Sequence, residues 1–328
     1  MLKFDDLQKV STQLGIDKIG VSPATTIDGD ALNEWLNRGY AGKMSYMERN
    51  KDKRLDPDAL LPGAQSVISI FINYHQEEIY PTLDGVISKY ARGIDYHIVL
   101  KPLLHDLADA LFGDLLNGLS RKERAKTYRV FVDSAPVMEK HWAVQAGIGW
   151  QGKHSNIITR ELGSWGFLGE IICTEAFDQY SVSIPDYCGE CTACIDACPT
   201  SAIVEPYVVD GSKCIAYATI EIPSDQPIPD KLQADMERWI FGCDICQDVC
   251  PWNRFSKPSD ISEFVPIDIL KGDSIPLFQD MSESEFDRLF KSTPLARSGL
   301  IGLRRNQKIR DLSPRLIAPG NLHQPRRS

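Results

Sequence analysis

The sequence predicts an α/β or α+β domain over about residues 1 to 180, followed by a smaller cysteine-rich module over about 181 to 256. Helix-like and strand-like patterns alternate through the first region, which is typical of mixed folds. Eight of the nine cysteines fall in the second region. Residues 257 to 328 carry helical patterns interrupted by prolines. With 328 residues and 43% hydrophobic content, the chain is long enough to bury a sizeable core.

The elements of the first domain follow from hydrophobic periodicity, taken in chain order. The predicted helices cover residues 5–14, 95–116 and 137–145, and the predicted strands cover 18–22, 66–73, 128–132, 156–159 and 169–174. The longest helix carries leucines at helical spacing, but Pro102 suggests that its regular part begins near Leu100. Further prolines at 314, 319 and 325 discourage regular structure in the tail.

The cysteines form two motifs with a shared pattern. The first is Cys-x2-Cys-x2-Cys-x3-Cys-Pro, and the second is a lone Cys followed by Cys-x2-Cys-x3-Cys-Pro. This is the ligand number and spacing of a protein with two [4Fe-4S] clusters, and in bacterial ferredoxins the last Cys before Pro binds the other cluster. The predicted ligand sets are therefore Cys188, Cys191, Cys194 and Cys250 for one cluster, and Cys198, Cys214, Cys243 and Cys246 for the other.

Structural zinc is the alternative reading of the cysteines, because paired Cys-x2-Cys units also form four-cysteine zinc sites. Zinc gives no reason for three cysteines at x2 spacing with a fourth three residues later, so clusters are favoured. The ninth cysteine, Cys173, lies in an apolar strand-like run, where a free thiol usually packs as a small hydrophobic side chain.

Charge is unevenly distributed along the chain. The net charge is −9, but residues 297 to 328 hold eight Lys or Arg and one acid, which makes this tail +7 and leaves −16 for the rest. The tail is a candidate for phosphate contact, although a solvated end would have the same composition. No N-terminal signal pattern and no membrane-spanning run is visible, so we expect a cytoplasmic protein.

Asp133 is the acid best placed for catalysis. It follows the predicted strand at 128–132 and precedes the Ser-Ala-Pro break, although a turn or helix-cap role would explain the same position. The Gly147 to Gly152 segment matches G-x-G-x-x-G but follows a helix and precedes a strand, which argues against dinucleotide binding. Such small residues suit close packing against a flat cofactor, or simply a tight turn.

Several blocks together resemble the epoxyqueuosine reductase family. They are Val132–Val137, Gly147–His154, Gly163–Trp165, the eight-cysteine set with Cys198–Ile203, and Gly242–Asn253, and with blocks at 293–297 and 302–306 the resemblance covers nearly the whole chain. The cluster motifs are shared with many ferredoxin-like proteins, whereas the blocks around Asp133 and Gly147 make the resemblance specific. Some members carry a helical-repeat extension, which we do not expect after residue 328.

The resemblance implies a nitroreductase-like, cobalamin-binding domain followed by a ferredoxin-like module with two [4Fe-4S] clusters. It implies reduction of epoxyqueuosine to queuosine at the wobble position of a tRNA, with Asp133 as proton donor, whose protonation burial beside the corrin and an apolar wall would favour. Matching blocks offer cobalamin contacts, and the basic tail offers contacts to the anticodon stem-loop. The cobalamin candidates are Arg54, Tyr96, His97, Asp133, Lys153, His154, Ser155 and Asn156, and the tRNA candidates are Arg297, Arg304, Arg305 and Lys308.

Two other functions remain compatible with the residues. A reductive dehalogenase-like enzyme acting on a small molecule would use the same cofactors, but such enzymes commonly carry a twin-arginine signal that is not visible here. A ferredoxin-type electron carrier would explain the cysteines and leave about 180 residues without a role. In every case a low-potential electron donor is expected, and a monomer is the simplest assembly.

Overall fold

The structure, a computed structural model, describes residues 1–77, 85–236, 238–272 and 274–312. For residues 311 and 312 it describes the backbone only. The predicted irregular tail at Pro314, Pro319 and Pro325 lies outside the described residues. The helices are α1 (Phe4–Gln13), α2 (Asp30–Asn37), α3 (Lys51–Leu55), α4 (Pro57–Leu60), α5 (Tyr96–Leu116), α6 (Arg121–Arg124), α7 (Glu139–Gln145), α8 (Ala193–Asp196), α9 (Ile215–Ile220), α10 (Asp230–Asp235), α11 (Ile245–Asp248), α12 (Glu283–Phe290) and α13 (Gly299–Leu312).

The strands are β1 (Lys18–Pro23), β2 (Ser66–Asn73), β3 (Val86–Ile87), β4 (Tyr128–Phe131), β5 (Trp150–Gln151), β6 (Ile157–Ile158), β7 (Gly166–Cys173), β8 (Ile203–Glu205), β9 (Val208–Val209) and β10 (Trp239–Phe241). Short 3-10 turns connect several of the helices and strands, and most of these turns lie after residue 250. Among the residues described, no helix is both long and apolar enough to cross a membrane.

The main sheet has the strand order β1-β2-β7-β4, and every neighbouring pair is antiparallel. Of the two fold descriptions that the sequence allowed, α+β is therefore the one that applies to this sheet. All eight residues of β2 are buried because it is a central strand covered on both faces, which explains its near-continuous apolar run.

The two faces of the sheet are covered by different helices. Alternate residues of β2 and β7, such as Ile70 and Ile171, pack with α1 and α5 in the largest core cluster. The opposite face carries Val67, Phe71 and Ile172, and α7 covers it. Cys173 lies in the α5-side core as expected for a packing residue, and its burial raises the pKa of its thiol to about 12.

Helix α5 begins earlier than the sequence suggested. Asp95 caps it by accepting a hydrogen bond from the backbone N–H of His97 at 2.9 Å, so regular helix starts at Tyr96 and Pro102 lies inside it. The expected start near Leu100 was wrong because the cap and the packing of Leu100 and Leu104 offset the cost of an interior proline.

A second core joins sequence-distant parts of the chain. Strand β3 pairs in parallel with β10, and α13 packs across β10 and α9. The buried Asn306 amide donates to the carbonyls of Thr219 at 2.9 Å and Ile240 at 2.8 Å, which joins α13 to both elements. The described part of the C-terminal region thus packs against residues of both the first domain and the cysteine-rich module.

The glycine-rich segment at 147–152 is explained by close packing within the chain. Gly147 has φ +67°, and a side chain at Gly149 would collide with the carbonyl oxygen of Ile158. The positive φ of Gly147 and the close approach of Gly149 to the backbone of Ile158 account for these two glycines.

Candidate active site and cluster sites

The eight cysteines divide between two cavities in the same way as the sequence assigns them. A cavity of about 220 Å³ is lined by Cys188, Cys191, Cys194 and Cys250. A second cavity of about 390 Å³ is lined by Cys198, Cys214, Cys243 and Cys246. Below, these are called the first and second cluster cavities. His154 lines both, so the two cavities share a side-chain wall.

Short helical turns hold the cysteines around these cavities. Cys194 lies on the single turn α8 and Cys246 on the matching turn α11, and Pro199 and Pro251 direct the chain away after each motif. Cys214 is the N-terminal cap residue of α9. Each motif thus presents its thiols from a tight loop, the geometry that a cubane cluster requires.

The thiols lie in surroundings that call for bound iron. Burial, together with the neighbouring cysteines, raises the pKa of Cys194 to about 11. Burial also raises the pKa of Cys243 and of Cys246 well above the ordinary range. Four thiolates this close are stable only beside compensating positive charge, which the irons of a cluster supply.

Two buried donors also lack partners within the described residues. The indole N–H of Trp150, which packs against Cys188 and Cys250, has none, and neither has Nε2 of His154. Since Nδ1 of His154 accepts the N–H of Asn156 at 3.2 Å, Nε2 of the neutral ring carries the proton. Burial lowers the pKa of His154 to about 4, which keeps the ring neutral. Such donors suit hydrogen bonds to cluster sulfur.

Lys153 supports the loop of the first cluster. Its ammonium group is buried and donates to the carbonyls of Gly189 at 2.6 Å and Cys191 at 3.0 Å. It also lines the first cluster cavity. Both hydrogen bonds hold the backbone of the cysteine loop. The sequence predicted Lys153 as a cobalamin contact and did not predict this loop-binding role.

A third and larger cavity, of about 790 Å³, lies beside the second cluster cavity. Tyr90, Tyr96, Asp133 and Glu139 line both. The third cavity is also lined by Arg54, His97, Lys101 and Arg297. We call it the substrate cavity, because it adds cationic side chains to the residues shared with the cluster side.

Asp133 stands where the two cavities meet. Its backbone is in the left-handed region, with φ +52°, because the chain turns sharply after β4. One carboxylate oxygen accepts a hydrogen bond from the hydroxyl of Tyr96 at 2.7 Å and lies 3.9 Å from Nε2 of His97. The Asp133 side chain is 59% exposed, so the chain alone does not supply the burial that the sequence analysis expected.

Tyr96 is held firmly against its neighbours. Its ring stacks on Phe167 with centroids 4.3 Å apart, and on His97 at the same separation. Burial, together with the charge of Asp133, raises the pKa of Tyr96 far above its ordinary value. The hydroxyl therefore keeps its proton and acts as a donor to Asp133.

The other cobalamin candidates are grouped around the same space. Arg54 is buried, donates to the carbonyl of Tyr46 at 3.2 Å, and has an unpartnered Nε among the described contacts. Burial lowers the pKa of Arg54. Ser155 and Asn156 line the second cluster cavity, where the amide oxygen of Asn156 lies 3.5 Å from Nζ of Lys140. Polar groups of several kinds thus face the space that a cofactor would need.

Comparison with known proteins identifies the family. Residues 54–134 match the family model described as Epoxyqueuosine reductase QueG, DUF1730, and residues 187–253 match the model of a 4Fe-4S double cluster binding domain. An epoxyqueuosine reductase from Leadbetterella byssophila is 49% identical over 307 residues, which cover 92% of this chain and 96% of that protein. The chain belongs to the epoxyqueuosine reductase family.

Solved structures agree with this membership. A crystal structure of selenomethionine-labelled epoxyqueuosine reductase is 30% identical, with a TM-score of 0.82 over 93% of this chain and 80% of that one. A crystal structure of epoxyqueuosine reductase with an epoxyqueuosine-modified tRNA-Tyr stem loop has a TM-score of 0.80 at 30% identity, with the same coverage. The chain is an oxidoreductase of this family, and the cofactors implied by the resemblance are two [4Fe-4S] clusters and cobalamin.

The basic residues predicted to bind tRNA occupy different settings in the structure. Arg297 lines the substrate cavity and pairs with Glu221 at 2.8 Å, and Lys308 is exposed. The guanidinium of Arg304 donates to two backbone carbonyls, and that of Arg305 to four. The last two side chains have structural partners that sequence could not reveal.

Three charged residues of the site were missed from sequence. Glu139 and Lys140 begin α7 and line the second cluster cavity, and Glu170 is fully buried in β7. For Glu170 a signal was available, since an acid interrupts the otherwise apolar run of β7. Glu139 and Lys140 gave no signal, because a Glu-Lys pair at a helix start is typical of an exposed first turn.

Proposed function

We propose that this protein reduces epoxyqueuosine in the anticodon loop of a tRNA to queuosine. The reaction removes the epoxide oxygen as water, so it consumes two electrons and two protons. The observation that carries the proposal is the second cluster cavity, which is lined both by four cysteines and by Asp133. An electron source and a proton source thus face one space beside a cavity of about 790 Å³.

The cofactors and the chain would divide the chemistry between them. When bound, cobalamin supplies strongly reduced cobalt for the epoxide, and the clusters supply electrons one at a time. Asp133 holds a proton at its carboxyl group for the departing oxygen. Tyr96 orients that carboxyl group through the 2.7 Å hydrogen bond, and its stacking on Phe167 fixes the hydroxyl position. Ser155, Asn156 and Arg54 offer polar contacts to the bound cofactor.

The partners follow from charge and exposure. Arg297 and Lys308 are offered as phosphate contacts for the stem-loop, and the carbonyl-bound Arg304 and Arg305, which lie on α13 with Lys308, would support them. Cys191 is exposed, so an unidentified low-potential donor can approach the first cluster there. We further propose that the protein acts as a monomer in the cytoplasm, where its tRNA substrate is found.

The direct test is anaerobic incubation of cluster-loaded protein with epoxyqueuosine-containing tRNA and a low-potential reductant, with and without cobalamin. Nucleoside mass spectrometry would follow the modified base. We expect queuosine only when cobalamin is present. Absence of product despite intact clusters and bound cobalamin would reject the tRNA reaction, and dehalogenation of small molecules would then be assayed on the same preparation.

A further inference from the structure

Two carboxyl groups, the fully buried Glu170 and the half-buried Glu139, lie behind Asp133 and have no role in the function proposed above. Glu170 has no solvent exposure, and neither of its carboxylate oxygens has a hydrogen-bond partner within the described structure. Glu139 is the first residue of α7. An isolated buried carboxylate is costly, so this arrangement needs a proton or a cation.

The sheet register explains why the two acids meet. Glu170 lies opposite Ser69 of β2 and Phe131 of β4, on the face that α7 covers. The first turn of α7 therefore brings Glu139 above Glu170. Burial raises the pKa of both carboxyl groups. The charge of Asp133 raises the pKa of Glu139 further, and the charge of Glu139 raises that of Glu170 further.

The groups facing the pair come from four further positions. Asp133 at the end of β4 adds negative charge, and Lys140 of α7 partly offsets it. Arg54 of α3 and Tyr96 of α5 also interact electrostatically with Glu139. Neither cation forms an ion pair with Glu170 in the described structure. One proton shared by the two carboxyl groups removes one negative charge and gives each group a hydrogen-bond partner, as in other closely spaced acid pairs.

The pair is joined directly to the catalytic loop. A carboxylate oxygen of Glu139 accepts the backbone N–H of Asp133, which holds Asp133 in its left-handed conformation. Glu139 and Asp133 also line the same two cavities, so one intervening water can connect their carboxyl groups. A proton can thus pass from the pair to Asp133 without leaving the site.

Reduction of the epoxide consumes two protons, so a second proton must reach the site; this step of the inference rests on the proposed function. Breaking both C–O bonds of the epoxide takes two electrons, forms the alkene, and requires two protons to release the oxygen as water. Asp133 carries one proton at a time. A bound tRNA covers the substrate cavity, so the second proton is best stored inside.

We propose that Glu139 and Glu170 share one proton and form a reserve that reprotonates Asp133 within a single turnover. Asp133 delivers the first proton to the oxygen, the pair returns a proton to Asp133, and Asp133 delivers the second. The electrons come through the clusters and cobalamin. The pair takes up a proton from solvent after the product leaves.

The first test needs no substrate. Infrared spectroscopy of the cluster-loaded protein with ¹³C-labelled glutamate reports protonated carboxyl groups. We expect a protonated glutamate band that persists at pH 7 and disappears in Glu170→Gln, because the amide donates to Glu139 and lets it ionise. Glu139→Gln, which keeps the acceptor for the Asp133 N–H, should also change the band. Glu34→Gln, at an exposed site, should not.

The second test is the pH dependence of a single turnover. In the wild-type protein the rate should fall as pH rises through the raised pKa of the pair. In Glu170→Gln the fall should begin at lower pH, with a loss of about tenfold at pH 8 and little loss at pH 6. Asp133→Asn should abolish turnover while keeping the infrared band.

The outcomes separate the two proposals. If neither glutamate variant alters the band or the pH profile, the shared proton is rejected, whatever the enzyme's substrate. If the band behaves as expected but wild-type protein makes no queuosine, the reaction assignment fails and the buried pair stands. If one variant does not fold, the other still decides, because each removes the shared proton from a different element.

Discussion

At the level of single residues, Asp133 shows how several weak constraints produce one functional position. Its backbone takes a conformation that costs a non-glycine residue about 1 kcal/mol or more. The contact from its N–H to Glu139 and the hydrogen bond from Tyr96 offset that cost. The carboxyl group is left accessible to a ligand from both cavities.

Replacing Asp133 by Asn tests its role as proton donor. Asn keeps the size and the backbone contact, but it has no acidic proton to give. We expect normal iron and cobalamin content with single-turnover rates lower by at least about 100-fold. Metal analysis and the absorbance of bound cobalamin check the first expectation, and rapid-quench nucleoside analysis checks the second. An active Asn variant would remove Asp133 from the chemistry.

At the level of elements, the sequence predicted the bounds of those helices and strands that depend on nearby residues. The bounds of β2 were predicted to the residue, and α1 and β1 to within one, because burial period and flanking turn residues are encoded nearby. The bounds of α5 were predicted to within one residue, and only the suggested regular start near Leu100 was wrong, because tertiary packing allows Pro102 inside the helix. Glu170 gave a local signal, an acid in an apolar run, but the sequence does not show that Glu139 of α7 lies next to it.

The site residues follow the same division. The spacing of the cysteines predicted two sets, and the structure brings those sets to separate cavities. The partners of Arg304 and Arg305 are carbonyls distant in sequence, so charge composition alone could not separate them from exposed Lys308. The roles of the individual cobalamin and tRNA contacts stay predictions, as does the division at residues 180 and 256.

The loop of the first cluster offers a test of Lys153. Lys153→Met keeps the aliphatic stem but removes the donors to Gly189 and Cys191, which leaves both carbonyls without this partner. We expect loss of the first cluster and so of about half the iron. Iron analysis and electron paramagnetic resonance would measure this. Arg254→Met, in the same cavity, is the matched control. Full iron with weakened cobalamin binding would instead favour the role predicted from sequence.

At the level of the whole molecule, ionisation and stability are linked through the buried acid pair. Glu139 and Glu170 have pKa values raised by burial, so the folded state binds a proton that the unfolded state releases above the ordinary glutamate range. The two groups stabilise the folded protein fully at pH values below the ordinary glutamate pKa. This stabilisation is lost as the pH rises through the raised pKa values of the folded protein. Groups such as Asp178, whose pKa the N–H of Phe4 lowers, act in the opposite direction.

Comparing two proteins isolates this contribution. Between pH 5 and pH 8, the free energy of unfolding of the wild-type protein should fall relative to that of Glu170→Gln by about 1 to 3 kcal/mol. Urea denaturation of the cluster-loaded proteins at several pH values would measure the difference. Parallel pH curves would mean that the pair does not hold its proton in the folded state.

Binding of tRNA is a second property of the whole molecule. Arg297→Gln with Lys308→Gln should weaken stem-loop binding and reduce the slope of log affinity against log salt by about 1 to 2. Fluorescence anisotropy across a salt series measures both, and Lys9→Gln on α1 is a control for lost charge. Unchanged affinity and slope would move the nucleic-acid contacts to other residues.

The pairing of β3 with β10 sets a condition on how the protein is made. Val86 and Ile87 must wait for residues 239–241 to leave the ribosome before their small sheet can form. At 5–20 residues per second this delay is on the order of 10 s. During that time the apolar edge of β3 and the ring of Tyr90, which packs against Phe241, are uncovered, so a nascent chain stalled between these segments would be a substrate for chaperones.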